Sequence, residues 1–339
     1  MTTATAGVAF TPFETRVETM MRLAWQADAL GLDRIGVAEA WSHDATIVLA
    51  EMAAQTTRVG LGTGVLSVWS RTPATIALAA VGLQRASGGR FSLGLGAGSP
   101  PLTEGLHGLR WERPIARLRD TLTAVRALLE GERLPRPASD ARPLRLGVLP
   151  DAPVPIALAA LSDASIRLAG ELADEWAPFL WARSRLEDGV ALLEQGAARA
   201  TRPRTPRVAV AVPVALGVDE AAARRAAAWW LSTYVTRMGP IYPRLLARFS
   251  SPETVAALQA TPEELPADAE ALAREVTLLG TYDEVPELVA AWREAGADSV
   301  QLVLPPGRPE AELAEVVAAA AAPERVAAVA SAPGMREGR

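Results

Sequence analysis

Arg58-Val-Gly-Leu-Gly-Thr-Gly-Val65 opens the stretch that decides the fold. It continues through Ser70-Arg-Thr-Pro73, an alanine-rich helical run and Ser87-Gly-Gly-Arg-Phe91. It then reaches Leu93-Gly-Leu-Gly-Ala-Gly-Ser-Pro100 and closes on Glu104-Gly-Leu-His-Gly108. Two short apolar strands thus end in glycine-rich corners, with one helix between them. Glycine at a strand end lets the backbone approach a ligand closely. Parallel strands joined by a helix bring both corners to the same end of a sheet, where α/β proteins build their sites. A bound cofactor or substrate is expected there.

Outward from this stretch, strand-like and helix-like segments alternate. Strands are predicted at 7–10, 34–38, 59–65, 91–95, 156–161, 176–180, 208–216 and 299–304. Helices are predicted at 14–30, 44–56, 73–86, 114–129, 163–173, 183–200, 219–234 and 283–294. Gly31 reads as a C-cap and Asp44 as an N-cap. The Pro- and Arg-rich segment 131–143 reads as an excursion, with an extra strand at 144–149. Residues 238–275 are less regular, with several prolines and helical pieces, and are expected to cover a pocket. An alanine-rich segment, 316–322, reads as a terminal amphipathic helix. About eight strand–helix pairs favour a closed, TIM-like (β/α)8 barrel. The expected organisation is one domain over 1–339, with insertions near 131–152 and 238–275.

Composition narrows the chemistry. The 339 residues suit a barrel of about 250 residues plus insertions. A net charge of −5 without a basic stripe argues against a nucleic-acid partner. All basic residues are arginine, which excludes a lysine Schiff base. There is no cysteine, so disulfides, thiolate nucleophiles and cysteine metal sites are excluded. Only two histidines, His43 and His107, argue against a histidine-rich metal centre. The N-terminal Met-Thr-Thr-Ala-Thr-Ala has no basic region or long apolar core, and no apolar run is long enough to span a bilayer. A soluble cytoplasmic protein that acts on a small-molecule substrate, away from membranes, is the expectation.

Several constellations can carry chemistry. Gly60, Gly62 and Gly64 leave one sheet face bare, and Gly94, Gly96 and Gly98 repeat the pattern. Such a face accepts either a flat ring or close packing of the chain itself. The spacing in Gly94-Leu-Gly-Ala-Gly-Ser99 is not that of a dinucleotide fingerprint. Glu39-Ala-Trp-Ser-His-Asp44 gathers two carboxylates, an indole and an imidazole at a strand end. His43 could shuttle a proton there. On the plainer reading Trp41 packs on a helix and His43 is a solvated loop residue. Glu104 and His107 offer an acid and a base; equally, Glu104 caps a turn. Ser162 and Asp163 read as helix caps. The free amides of that helix start suit a phosphate, provided the Asp163 carboxylate turns away.

Taken in order and spacing, these segments resemble the luciferase-like flavin and deazaflavin oxidoreductase family. The resemblance rests on Ala38–Asp44, Arg58–Val65, Ser70–Pro73, Ser87–Gly96, Leu168-Ala-Gly-Glu-Leu-Ala-Asp174 and the helix–Ala-Gly-Ala-Asp–strand ending over 283–304. The loop Glu104–Gly108 and Arg113-Pro-Ile-Ala-Arg-Leu-Arg119 are more similar to the branch that uses coenzyme F420 than to the FMN branch. The resemblance implies a TIM-like barrel that binds cofactor at the C-terminal strand ends, and a homodimer. It implies a bulge in the third strand, with a cis peptide at Gly64–Val65, against the back of the ring. Thr63, Trp41 and the corner Gly96, Ala97, Gly98 and Ser99 would line the same ring. Ala160, Leu161, Ser162 and Asp163 would take the phosphate. His43, Glu104 and Glu39 are candidates for proton handling or ring contacts, while hydride moves to or from the deazaflavin C5 carbon.

One departure stands out. The deazaflavin branch often carries Gly-Pro-Lys where this chain has Ser162-Asp163-Ala164, so a cation is replaced by an anion. An FMN-dependent monooxygenase and a cofactor-free binding barrel are the alternatives. Trp229, Trp230, Tyr234 and Tyr242 either line the pocket or, more simply, belong to the core or a dimer contact.

Overall fold

In a computed structural model that describes residues 6–135, 140–201, 205–261, 264–321 and 326, parallel strands close into a ring. The strands are β1 (Gly7–Phe10), β2 (Arg34–Val37), β3 (Gly60–Thr63), β4 (Leu66–Ser67), β5 (Phe91–Gly96), β6 (Ile156–Ala159), β7 (Glu175–Trp176), β8 (Arg207–Gly217), β9 (Leu278–Thr281) and β10 (Ser299–Leu304). Eight of them form the barrel, in the order β1-β2-β3-β5-β6-β7-β8-β10 with β10 returning to β1. β4 prolongs β3 along β5, and β9 pairs with the far half of β8, Val214 opposite Leu278.

Helices cover the outside: α1 (Val17–Leu30), α2 (Ala45–Gln55), α3 (Pro73–Ala86), α4 (Pro100–Gly105), α5 (Pro114–Leu129), α6 (Asp163–Leu172) and α7 (Leu186–Ala197). They continue as α8 (Glu220–Arg237), α9 (Ile241–Phe249), α10 (Pro252–Ala260), α11 (Glu270–Val276), α12 (Val285–Glu294) and α13 (Glu310–Ala319). Alternation along the strands sends Val8, Ile35, Leu61, Leu93, Leu158 and Val300 into the core beneath these helices.

Local chemistry fixes the entry to the decisive stretch. Gly31 closes α1 in the left-handed region at φ 67°. The Asp28 carboxylate accepts the amides of Thr57, Arg58 and Val59 at 2.7–3.1 Å, which pins the start of β3. Gly88 and Gly89, at φ 62° and 90°, make the turn into Arg90. Arg90 donates to the carbonyls of Thr56 and Ser87 and so ties the bottoms of β3 and β5 together.

One expectation needs correction. Residues 144–149 form no strand; Leu144 only accepts the amide of Leu134, and Leu144, Val148 and Leu149 are exposed. β5 and β6 pair directly, so the closed barrel leaves no edge there for a further strand. The helical pieces expected over 238–275 are α9, α10, a short turn and α11. The N-terminal residues 1–5, the part of the Pro-rich excursion at 136–139, and Ala322 of the alanine-rich tail lie outside the described residues. Among the described residues, no helix is long and apolar enough to cross a membrane.

Candidate active site at the barrel mouth

The third strand changes register as it reaches the mouth. Gly62 pairs with Ser92, but Leu66 pairs with Leu95, so the β3–β4 chain carries one residue more than β5 between these points. This is a bulge. The Gly64–Val65 peptide within it is cis. Gly64 donates its amide to Val37 at 2.8 Å, and Val65 accepts the Glu39 amide at 3.4 Å, so β2 holds both residues of the bulge.

The two sets of glycines serve different ends. A Cβ on Gly94 would lie 2.0 Å from the Thr63 carbonyl oxygen, and one on Gly96 would lie 2.8 Å from Val65 Cγ2. Those two glycines are bare because the bulge packs on them, which is the plainer of the two readings. Gly64 differs: a Cβ there would meet nothing closer than 3.8 Å, and the residue is exposed. Its open side borders a cavity of about 490 Å³.

The cavity runs along the mouth and down into the barrel. On one side it is walled by the bulge (Thr63, Gly64, Val65) and by the corner Gly96, Ala97, Gly98 and Ser99. Gly98 turns at φ 69°, and a Cβ there would strike Ser67 Oγ at 2.8 Å. Ala97 holds its carbonyl toward the indoles of Trp69 and Trp111, at 2.8 and 3.2 Å. Across the cavity stand Phe179, Tyr234, Met238 and Tyr242. Tyr234 and Tyr242 pack ring to ring at 4.9 Å, and burial pushes both phenols up, so they stay protonated. Trp230 is fully buried core, and Trp229 packs on Phe13 outside the lining.

Of the expected proton-handling residues, only Glu39 reaches the cavity. Its carboxylate binds both terminal nitrogens of Arg71, at 2.8 Å for Nη2, and also accepts the Ala45 amide and the Ser70 hydroxyl. Arg71 also pairs with Asp44 at 2.8 Å. Burial alone would push the Arg71 guanidinium down, but the Glu39 and Asp44 carboxylates more than offset this and raise it. Ser70-Arg-Thr-Pro73 thus has a local function: Ser70 and Arg71 clamp Glu39, Thr72 caps α3, and Pro73 starts it. His43 is outside the lining, with Nε2 3.2 Å from the Thr15 carbonyl. Glu104 is also outside; its carboxylate accepts the Trp111 amide at 3.2 Å. Trp41 is exposed and packs edge-on against Phe13.

At the far end, Leu161 and Ser162 line the cavity, whereas Ala160 and Asp163 do not. Ser162 caps α6 in a reciprocal pair with Ser165. Ala160 is buried and accepts the Trp176 indole. Asp163 turns to Arg248 of α9, 3.2 Å away. The anion at this helix start is therefore met by an arginine about 85 positions further on, which no local motif could announce.

A family model described as luciferase-like monooxygenase matches residues 2–299. The chain belongs to that family. It is 31% identical over 305 residues to a candidate coenzyme F420-dependent oxidoreductase of Mycobacterium tuberculosis, covering 80% of this chain and 86% of the relative. Its fold is similar to that of an F420-dependent secondary alcohol dehydrogenase solved with an F420–acetone adduct. That match has TM-score 0.75 and 18% identity, and covers 95% of this chain and 99% of the other. The oxygenating constituent of 3,6-diketocamphane monooxygenase from Pseudomonas putida, solved with FMN, matches with TM-score 0.67 and 21% identity, over 93% and 96% of the two chains. The fold is thus shared with both an F420-dependent enzyme and an FMN-bound one.

Proposed function

We propose that this luciferase-like protein is an F420-dependent oxidoreductase acting on a small organic substrate. The observation that carries the reading is the unfilled wall at Gly64. The chain packs against its other strand glycines but leaves this one open onto a cavity large enough for a flat heterocycle. The relationship to the mycobacterial protein favours the deazaflavin.

The residues present fit such a group. Thr63–Val65 and Gly96–Ser99 would bear on the ring, and Ser162 with the α6 amides on the phosphate. When bound, the deazaflavin supplies hydride transfer at its C5 carbon. The chain's own part is to orient, to exclude water and to manage a proton. Arg71 clamps the Glu39 carboxylate in place, which suits a fixed wall of the site better than a mobile proton carrier. The protonated phenols of Tyr234 and Tyr242 suit hydrogen bonding to a substrate oxygen.

A second reading, an FMN-dependent monooxygenase, is favoured by the likeness to the FMN-bound structure. Titration of the purified protein separates them. Quenching of F420 fluorescence at micromolar protein, with no uptake of FMN, is the expected result. Uptake of FMN alone supports the second reading, and binding of neither refutes both.

A further inference from the structure

The barrel interior carries a feature that the proposed cofactor site does not use. A TIM barrel is ordinarily filled by layers of branched side chains. Here the inward positions are small: Ala9, Gly36, Gly62, Ala157, Ala209 and Ala211 all line the cavity. Four polar side chains from four strands line it as well: Arg34 of β2, Ser92 of β5, Glu175 of β7 and Gln301 of β10.

Arg34 and Glu175 meet across the bore in a two-pronged pair at 2.6 and 2.9 Å. Glu175 is 5% exposed and Arg34 19%. The glycines of β2 and β3 make room for this set. A Cβ on Gly36 would lie 3.0 Å from Gln301 Oε1, and one on Gly62 would lie 2.9 Å from Ser92 Oγ and 3.4 Å from Arg34 Cδ. The Gln301 amide and the Ser92 hydroxyl have no hydrogen-bonding partner among the described residues, though both border the cavity. Polar groups so placed normally find a partner.

We propose that the bore is a subsite for the far end of the substrate, and that it takes a neutral terminus that both donates and accepts hydrogen bonds, such as a hydroxyl or a carboxamide. The inference rests on the proposed oxidoreductase reading, which places the reacting end at the mouth. Neutrality follows from the pair: Arg34 is already matched by Glu175, so a carboxylate would have to compete with Glu175 for it. The donor–acceptor requirement follows from Gln301 and Ser92, which offer both. The small lining sets the shape, a narrow chain rather than a bulky ring.

The test uses methyl ketones of five to eight carbons in three forms: plain, with a terminal hydroxyl, and with a terminal carboxylate. Binding is read by quenching of the protein's own tryptophan fluorescence, with and without F420, and F420 affinity is measured in parallel. The hydroxyl form is expected to bind about three- to tenfold tighter than the plain ketone at the longer lengths, the gain of about one neutral hydrogen bond, and the carboxylate form more weakly than either. Gln301→Leu should erase the hydroxyl's advantage. Ala209→Leu, which fills the bore, should eliminate binding of the long members. Both variants should keep the wild-type melting temperature and F420 affinity. No binding by any member, no advantage for the hydroxyl, or an advantage that survives Gln301→Leu overturns the subsite. Failure of F420 to bind the wild type counts against the oxidoreductase reading instead, because ligand binding is also read on the protein alone.

Discussion

Gly64→Leu and Gly94→Ala should part company, although both replace a glycine in the same two-strand corner. At Gly64 an added Cβ finds its nearest neighbours at 3.8 Å, so a leucine side chain extends into the cavity and leaves the chain's own packing alone. Substitutions that disturb no packing change stability by about 0.5 kcal/mol or less. A leucine there would hold a bound ring off the wall by about one van der Waals layer, ~3.5–4 Å. Such a displacement should weaken F420 by at least about 100-fold, or ~2.7 kcal/mol. At Gly94 the added Cβ would lie 2.0 Å from the Thr63 carbonyl oxygen, a backbone atom that cannot swing away. Relief must also disturb the two 2.8 Å bonds that the Thr63 hydroxyl makes with the Gly94 amide and carbonyl. Overpacking at ~1–3 kcal/mol and two bonds at ~1 kcal/mol each give a loss of about 3–5 kcal/mol. For a chain of 339 residues that is a fall in melting temperature of roughly 4–7 °C. Thermal melts and F420 fluorescence titrations on both variants make the comparison. Unchanged F420 affinity in Gly64→Leu would refute the reasoning, as would an equal fall in melting temperature for the two.

Three further outcomes follow from named contacts. Glu175→Gln strands the Arg34 guanidinium in the bore and should destabilise the fold by about 3 kcal/mol in urea melts at pH 7, whereas joint replacement by Arg34→Met and Glu175→Leu should recover most of it. Burial pushes the Glu175 carboxyl up, but Arg34 and then Arg207 hold it below its ordinary 4.5, so its contribution is complete above that value and lost as pH falls through the depressed one. Wild type and Glu175→Gln should therefore converge in stability as pH falls through that depressed value. Ser162→Ala removes the α6 cap and should cost ~1 kcal/mol in the same melts. Asp163→Lys breaks only a half-exposed pair with Arg248 and should barely alter stability, while strengthening F420 binding at low salt; no gain would place the phosphate elsewhere.

The barrel was readable from the sequence because its signals are local. Period-two apolar runs such as Phe91–Leu95 and caps such as Gly31 and Asp44 act within a few residues, and the structure uses them as expected. Residues 144–149 misled because an apolar run satisfies the strand pattern whether or not an edge is free to pair with it. The glycine corners were readable as a pair but not one by one. Whether Gly64 or Gly94 is open depends on a one-residue register change between β3 and β5, which composition does not encode. Long-range pairs lay beyond reach for a related reason: Arg34 with Glu175, and Asp163 with Arg248, meet only through barrel closure and the packing of α9. A partial signal existed for Arg34, since strand alternation puts it on the same face as Gly36. The tyrosines of α8 and α9 were expected more simply as core or dimer contact, yet they border the cavity, because 238–249 folds back over the mouth.

The most direct test is a crystal structure of the protein loaded with F420. The account predicts the tricyclic ring lying against Gly64 and Val65, beside the Gly96–Ser99 corner, with the phosphate near Ser162. A ring bound elsewhere, or side chains of the protein occupying the space in front of Gly64, would contradict it.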